Sequence, residues 1–380
     1  MLKVRNIMAA CLRPSAVMLA TAGVIVAAFL VWLVLLTPKT MHSALEAYPG
    51  FDKLGDRTFL FHRLTQLREK PPGNELRIAI IGASTTRESI WTPESFAERV
   101  SAGVDRPVSA VELTSGGQRL LVSWSLVEQT VCGGFDIAVV AVNMGLFTKE
   151  QLRNPARYIG YRAPTVDAYF GEQPIASGSF LFDNTRFVAG TLYHAAHTPL
   201  YNLTGDGRLI SRKDAHRGQR FVGKMNAHKR HRFVGKPEKS PHRVLTKLRK
   251  TSHIYGSTYH KYAANNFAIL EGMVKMAKEC EGEVILIDTP RHSWLLEKSE
   301  FKSYQAAFYE HEAALIAFAK KHGLAFIDPN QLVAYTPDDA NDHGHLRLEA
   351  TIRATTDAIA DAVADHILRK ENDGEVSALQ

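Results

Sequence analysis

Five short apolar runs separated by stretches of helix length constrain this chain more than any other feature. LRIAIIG (76–82), VSAVEL (108–113), FDIAVVAVN (135–143), EVILID (283–288) and GLAFID (323–328) are each bounded by polar or turn residues. That is the pattern of strands buried on both faces. Between and after them lie the amphipathic stretches PESFAERV, QRLLVSWSLVEQTV, YAANNFAILEGMVKMAKEC, FKSYQAAFYEHEAALIAFAKKH and LRLEATIRATTDAIADAVADHILRK. Strands alternating with helices predict an α/β protein with a doubly wound parallel five-stranded sheet covered by helices on both faces. In such a sheet ligands bind beyond the carboxyl ends of the strands, so those ends hold the candidate residues.

A second feature sets the expected compartment. Ala16 to Leu36, AVMLATAGVIVAAFLVWLVLL, is an uncharged apolar run of the length a helix needs to cross the hydrocarbon core. Lys3, Arg5 and Arg13 precede it without an acidic residue among them, which orients the N-terminus inward. A cleaved signal peptide would have a shorter apolar core and a small-residue cleavage site, and TPKTMHSALEAYPG offers no clear one. The expectation is a single-pass inner-membrane protein. Residues 1–15 would be cytoplasmic, 16–36 a transmembrane anchor and 37–74 a linker or stalk, with the catalytic domain outside.

Between the third and fourth strands the alternation breaks. Residues 151–261 have few apolar runs, and RFVGK occurs twice, at 220–224 and 232–236. Residues 212–250 hold fourteen Lys and Arg against two acids, so the whole excess of a chain of formal charge +7 sits in this basic insertion. A solvated basic loop is one reading, and a binding segment for an anionic glycan or lipid head group is the other. An extracytoplasmic location argues against nucleic acid. Of the three cysteines, Cys11 lies beside the apolar run, while Cys132 and Cys280 fall in the outer domain. These two could pair in an oxidising compartment, but scattered thiols are expected more often as small buried hydrophobes. Their spacing does not suggest a metal site.

The strand ends carry the chemistry. After the first strand comes IGASTTRES (81–89), in which Thr85 and Glu88 fit the S/T-x-x-E capping box of a helix start, while Ser84 stands where catalytic groups stand in α/β sheets. After the second comes Thr114-Ser115-Gly116-Gly117-Gln118, and after the third Asn143. The loop before the final helix contains Asp342-His343-Gly344-His345-Leu346. Singly, each has a structural reading: Asp342 as a helix cap, the histidines as surface residues, Asn143 as a turn residue. Jointly, Ser, Gly, Asn and Asp-x-x-His at successive edges of one sheet are far more specific.

In that order the four blocks resemble the SGNH (GDSL-like) hydrolase superfamily, over roughly 75–150 and 262–370. The first block reads GAST where the family has GDS, and the third reads AVNM where it has GxND. The last matches D-x-x-H-L closely. The resemblance implies a flavodoxin-like sheet and a serine hydrolase or O-acyltransferase that needs no metal or cofactor. Ser84 would be the nucleophile, His345 the base and Asp342 its orienting carboxylate. The oxyanion donors would be the Ser84 N–H, the N–H of Gly117 (or Gly116) and the Asn143 amide. The chemistry agrees, since a serine hydroxyl needs an adjacent base at neutral pH and a histidine needs a partner to hold its tautomer.

Around this set, His343 with Asp339 competes for the role of base. Arg87, Glu88, Arg291 and His292 lie near strand ends, where they would either shape a substrate pocket or form structural ion pairs. An anchored, outward-facing domain of this kind is similar in plan to cell-envelope glycan acylation proteins. That likeness implies an acylated substrate or envelope glycan and a membrane-bound O-acyltransferase as partner. The non-enzymatic alternative is an inactive glycan-binding or scaffolding subunit.

Overall fold

The computed structural model describes residues 16–35, 60, 63, 64, 67, 75–151, 165, 166, 234, 241–291, 301–341 and 344–378. Its sheet consists of β1 (Leu76–Ala83), β2 (Val108–Ser115), β3 (Ile137–Ala141), β4 (Glu283–Ile287) and β5 (Phe326–Ile327). All neighbours pair in parallel, in the order β2-β1-β3-β4-β5. That is the flavodoxin-like order, with its switch point between β1 and β3.

Helices cover both faces. Alternate residues of the strands, such as Ile78, Ile80, Val139 and Ile285, pack against α3 (Pro93–Val104) and α9 (Glu349–Ala378). The opposite set, including Ile81, Leu113, Val140 and Leu286, packs against α4 (Leu120–Val131), α6 (Pro241–Glu279) and α7 (Lys302–His322). Because side chains alternate across a strand, two apolar faces require a continuous apolar run. Short helices α2 (Ser84–Arg87), α5 (Met144–Phe147) and α8 (Pro329–Leu332) leave the carboxyl ends of β1, β3 and β5.

Three regions differ in detail from the sequence expectation. Helix α6 begins at Pro241 and so crosses the expected insertion boundary at 261. The rest of the basic insertion lies almost entirely outside the described residues. Within the expected stalk, Leu60 and Leu64 are buried in the core on the α4 side, so that stretch contributes to the domain itself. At the N-terminus, α1 (Ala16–Leu35) is a helix without a charged residue, and Met18, Leu19, Val24 and Ile25 on it are exposed. Side chains there are described only for 18–28 and Leu30. Among the described residues no helix is long and apolar enough to cross a membrane.

Of the two outcomes that the sequence left open for Cys132 and Cys280, pairing is the one found. Cys132 and Cys280 form a disulfide, with Cα atoms 5.1 Å apart and a sequence separation of 148. The cause is close packing of the two helices that end there. A Cβ on Gly272 would lie 2.3 Å from the Trp124 ring, and one on Gly282 would lie 1.9 Å from Val131. Glycine at both positions lets α4 and α6 approach until their C-terminal cysteines meet. Closing a loop of this length stabilises by on the order of 5 kcal/mol on a chain-entropy account.

Candidate active site

The three strands that carry candidates lie side by side, with β1 in the middle. Ala83 is in register with Ser115, and Ile81 with Val140. Ser84 therefore leaves the sheet between the Gly116–Gly117 turn on one side and Asn143 on the other.

Ser84 opens α2. The N-cap is Ala83, no side chain caps the helix, and Glu88 falls at its C-cap. The capping box expected of Thr85 and Glu88 is therefore not formed. A box of this kind does occur one helix later, between Thr92 and Ser95. The turn is tight because Gly82 lacks a side chain: a Cβ there would come within 2.2 Å of Thr86 Oγ1 and 2.9 Å of Ala141 Cβ. As the first helical residue, Ser84 has a backbone N–H without an acceptor inside the helix. Its Oγ lies 3.0 Å from His345 Nε2, a hydrogen bond between residues 261 positions apart. Both residues are half-buried, sheltered yet within reach of solvent.

His345 is held by its backbone. Its carbonyl accepts from Asn341 N–H at 2.8 Å, Ala340 and Leu346 form an antiparallel bridge, and Leu346 is fully buried. Gly344 rests on the first block, since a Cβ there would lie 3.1 Å from Thr85 Cγ2. Asp342, His343 and His292 lie outside the described residues. Asp339, the partner considered for His343, also binds the backbone and hydroxyls around it. Its carboxylate accepts from Thr336 N–H and Oγ1, each at 2.7 Å, and from the Thr351 hydroxyl.

Gly117 has φ +70, a left-handed conformation that favours glycine, in an exposed turn beyond β2. Asn143 sits at the N-cap of α5, and its backbone carbonyl accepts from Leu146 N–H, as a turn residue would. Its side chain does something else: Nδ2 points to Thr85 Oγ1 at 3.4 Å, towards the residue after the serine.

Both arginines lie near carboxylates. Arg87 is buried, 3.9 Å from the Glu88 carboxylate. Arg291 pairs with Asp288, with Glu312 at 2.8 Å and with Asp328 at 2.9 Å, and it covers the Phe308 ring at 4.5 Å. This cluster ties the ends of β4 and β5 to α7. Burial pushes the Asp288 carboxyl up to about 7; Arg291 opposes the rise, while Asp328 and Glu312 add to it. A carboxyl with a raised pKa contributes stability that is complete below about pH 4 and is lost as pH rises through about 7. For Asp288→Asn, which cannot ionise, the stability difference from wild type is expected to move in the variant's favour between pH 5 and pH 8. The expected size is on the order of 1 kcal/mol or more. Thermal unfolding across that range checks it, and a difference that does not change with pH would refute it.

Two buried polar residues near the site were not singled out from the sequence. Asn266 Nδ2 donates to the carbonyls of Leu146, Phe147 and Lys149 at 3.1–3.3 Å, clamping the far end of α5. His311 meets the Val142 carbonyl. Asn266 had a signal available, because it lies seven residues from Tyr259 and four from Leu270 on the core-facing side of α6. A buried asparagine there needs hydrogen-bond partners.

A scan against descriptions of known protein families finds no match to this chain, and a search of curated proteins finds none. Among solved structures the chain is similar to a Bacteroides fragilis NCTC 9343 protein described as a "putative acylhydrolase". The two are 12% identical with a TM-score of 0.37, over 81% of this chain and 97% of that one. A likeness that distant carries no argument about chemistry, which has to be read from the site itself.

Proposed function

We propose that this chain is a membrane-anchored, SGNH-type serine acyl-transfer enzyme that acts on acyl groups of a cell-envelope glycan. The observation that carries the reading is the 3.0 Å contact between Ser84 Oγ and His345 Nε2 at the carboxyl edge of the sheet. In the proposed reaction His345 takes the Ser84 proton as Oγ attacks the acyl carbonyl. The proton then passes to the leaving alcohol, and an acyl-enzyme remains. Asp342 holds the imidazole, and the Ser84 N–H, the Gly117 N–H and the Asn143 amide receive the oxyanion. Water or a sugar hydroxyl then takes the acyl group from Ser84.

Three features support the setting. In sequence, Ala16–Leu36 is an uncharged apolar run of the length a membrane-crossing helix needs. The Cys132–Cys280 disulfide suits an oxidising compartment outside the cytoplasm. The cationic segment 212–250 suits a polyanionic glycan or anionic lipid. Anchoring would confine the enzyme to the surface where a membrane-bound O-acyltransferase delivers its acyl donor, raising the effective concentration.

Transfer and hydrolysis are separated by giving the full-length protein an acylated donor together with candidate envelope glycans and following acyl groups by mass spectrometry. Acyl groups appearing on sugar hydroxyls identify an acyltransferase. Release to water alone identifies an esterase. No Ser84-dependent movement of acyl groups in any mixture would count against both.

A further inference from the structure

His311 is a histidine in an unexpected place. It sits on α7, fully inside the core, with Phe147 at 4.5 Å, Tyr259 at 5.5 Å and Phe267 at 6.2 Å between ring centroids. Its Nε2 lies 3.2 Å from the Val142 carbonyl oxygen. A carbonyl oxygen has no proton to give, so Nε2 carries the hydrogen and Nδ1 is the bare nitrogen. That Nδ1 is buried with no hydrogen-bond partner among the described residues. A buried acceptor left unpaired costs free energy, and a leucine or phenylalanine would fill the same space without that cost. The reason for a histidine here is therefore the bond it donates.

That bond falls at a decisive point of the chain. The ladder between β3 and β4 ends with Val142 N–H donating to the Ile287 carbonyl at 2.9 Å. The Val142 carbonyl lies past the ladder, on the peptide that joins Val142 to Asn143. Fixing its direction fixes where the Asn143 backbone starts and so where its side chain can point.

We infer that His311 is a positioning residue for Asn143: its Nε2–H holds the Val142–Asn143 peptide so that the Asn143 amide stays aimed at the serine turn. The inference rests on the acyl-transfer reading above, in which that amide receives the oxyanion. The ring is suited to a constant role. Burial, aided by the nearby Arg291 and opposed by the bond to Val142, lowers its pKa to about 4, so it donates as a neutral imidazole across the physiological range.

The test uses the full-length protein and saturation kinetics of fluorophosphonate labelling, which separate probe binding from the chemical step. His311→Leu keeps the bulk and removes the donor. It is expected to slow the chemical step about tenfold to a hundredfold, the scale set by a misplaced catalytic group, with probe binding nearly unchanged. His311→Gln, whose amide reaches the Nε2 position, is expected to recover most of the rate, and His311→Asn, which stops short of it, is not. In an Asn143→Ala background His311→Leu should cost nothing further, because its target is gone. Equal labelling by wild type and His311→Leu, or the same loss with and without Asn143, would overturn the inference. If His311→Leu does not fold, the glutamine and asparagine variants decide, and equal rates in the two overturn it. A wild type that is never labelled would instead refute the acyl-transfer reading, so the two failures are distinguishable.

Discussion

Ser84→Ala is expected to abolish covalent labelling by a fluorophosphonate probe and to lower acyl turnover by at least about a thousandfold, while leaving the fold intact. The size follows from the role, because without Oγ there is no nucleophile and no acyl-enzyme, and the remaining donors can only bind. The preserved fold follows from the structure. Ser84 does not cap α2, its side chain is half-buried, and among the described residues its Oγ bonds to His345. The tight turn depends on Gly82 and on packing against Thr86 and Ala141, none of which changes. Labelling of wild type and variant is compared alongside their thermal unfolding. A variant that still reacts, or a wild type that stays unlabelled where a control serine hydrolase reacts, would remove Ser84 from the chemistry.

His345→Ala is expected to cost several orders of magnitude in turnover, whereas His343→Ala should be mild. The loop that carries His345 does not depend on its ring. The Asn341–His345 backbone bond, the Ala340–Leu346 bridge and the buried Leu346 remain when the imidazole is removed. The alanine variant therefore reports on proton transfer rather than on folding. The ranking rests on the 3.0 Å approach of His345 Nε2 to Ser84 Oγ, which makes His345 the base of the proposed reaction. Steady-state turnover of a simple ester by both variants gives the ranking, and the reverse order would move the base to His343.

Much of the architecture is legible in the sequence because strands buried on both faces write themselves as unbroken apolar runs. All five expected strands occur, although β5 shrinks to Phe326–Ile327. The boundaries of α6 and α9 were harder, because their outer turns are polar and charged and carry no apolar period. The 3.0 Å approach of Ser84 and His345 could be suspected from two distant blocks, since parallel strands place their carboxyl ends on one edge. What local reading missed came from tertiary contacts. The hydroxyl run after β1 looked like a capping box, yet the chain turns at Ala83 because a glycine lets it fold back. The cysteines looked like isolated thiols, yet Gly272 and Gly282 let their helices close on each other. His311 gave no motif, because it acts on a backbone carbonyl that no sequence pattern marks, and Asn266 was signalled only by its place on the core-facing side of α6.

The disulfide also divides the chain topologically. Cys132 precedes β3 and the whole basic segment, and Cys280 follows them, so the bond closes a ring that contains both. Emerging from the N-terminus, Cys132 has no partner until the basic segment and α6 have followed, and the ring closes late in assembly. Once it has closed, α4 and α6 are joined by a covalent bond as well as by the long connection. A cut in the chain between α5 and α6 would then leave the two helices covalently joined. In this fold α4 and α6, which precede and follow the largest insertion, are held together by sulfur as well as by the chain that runs through it.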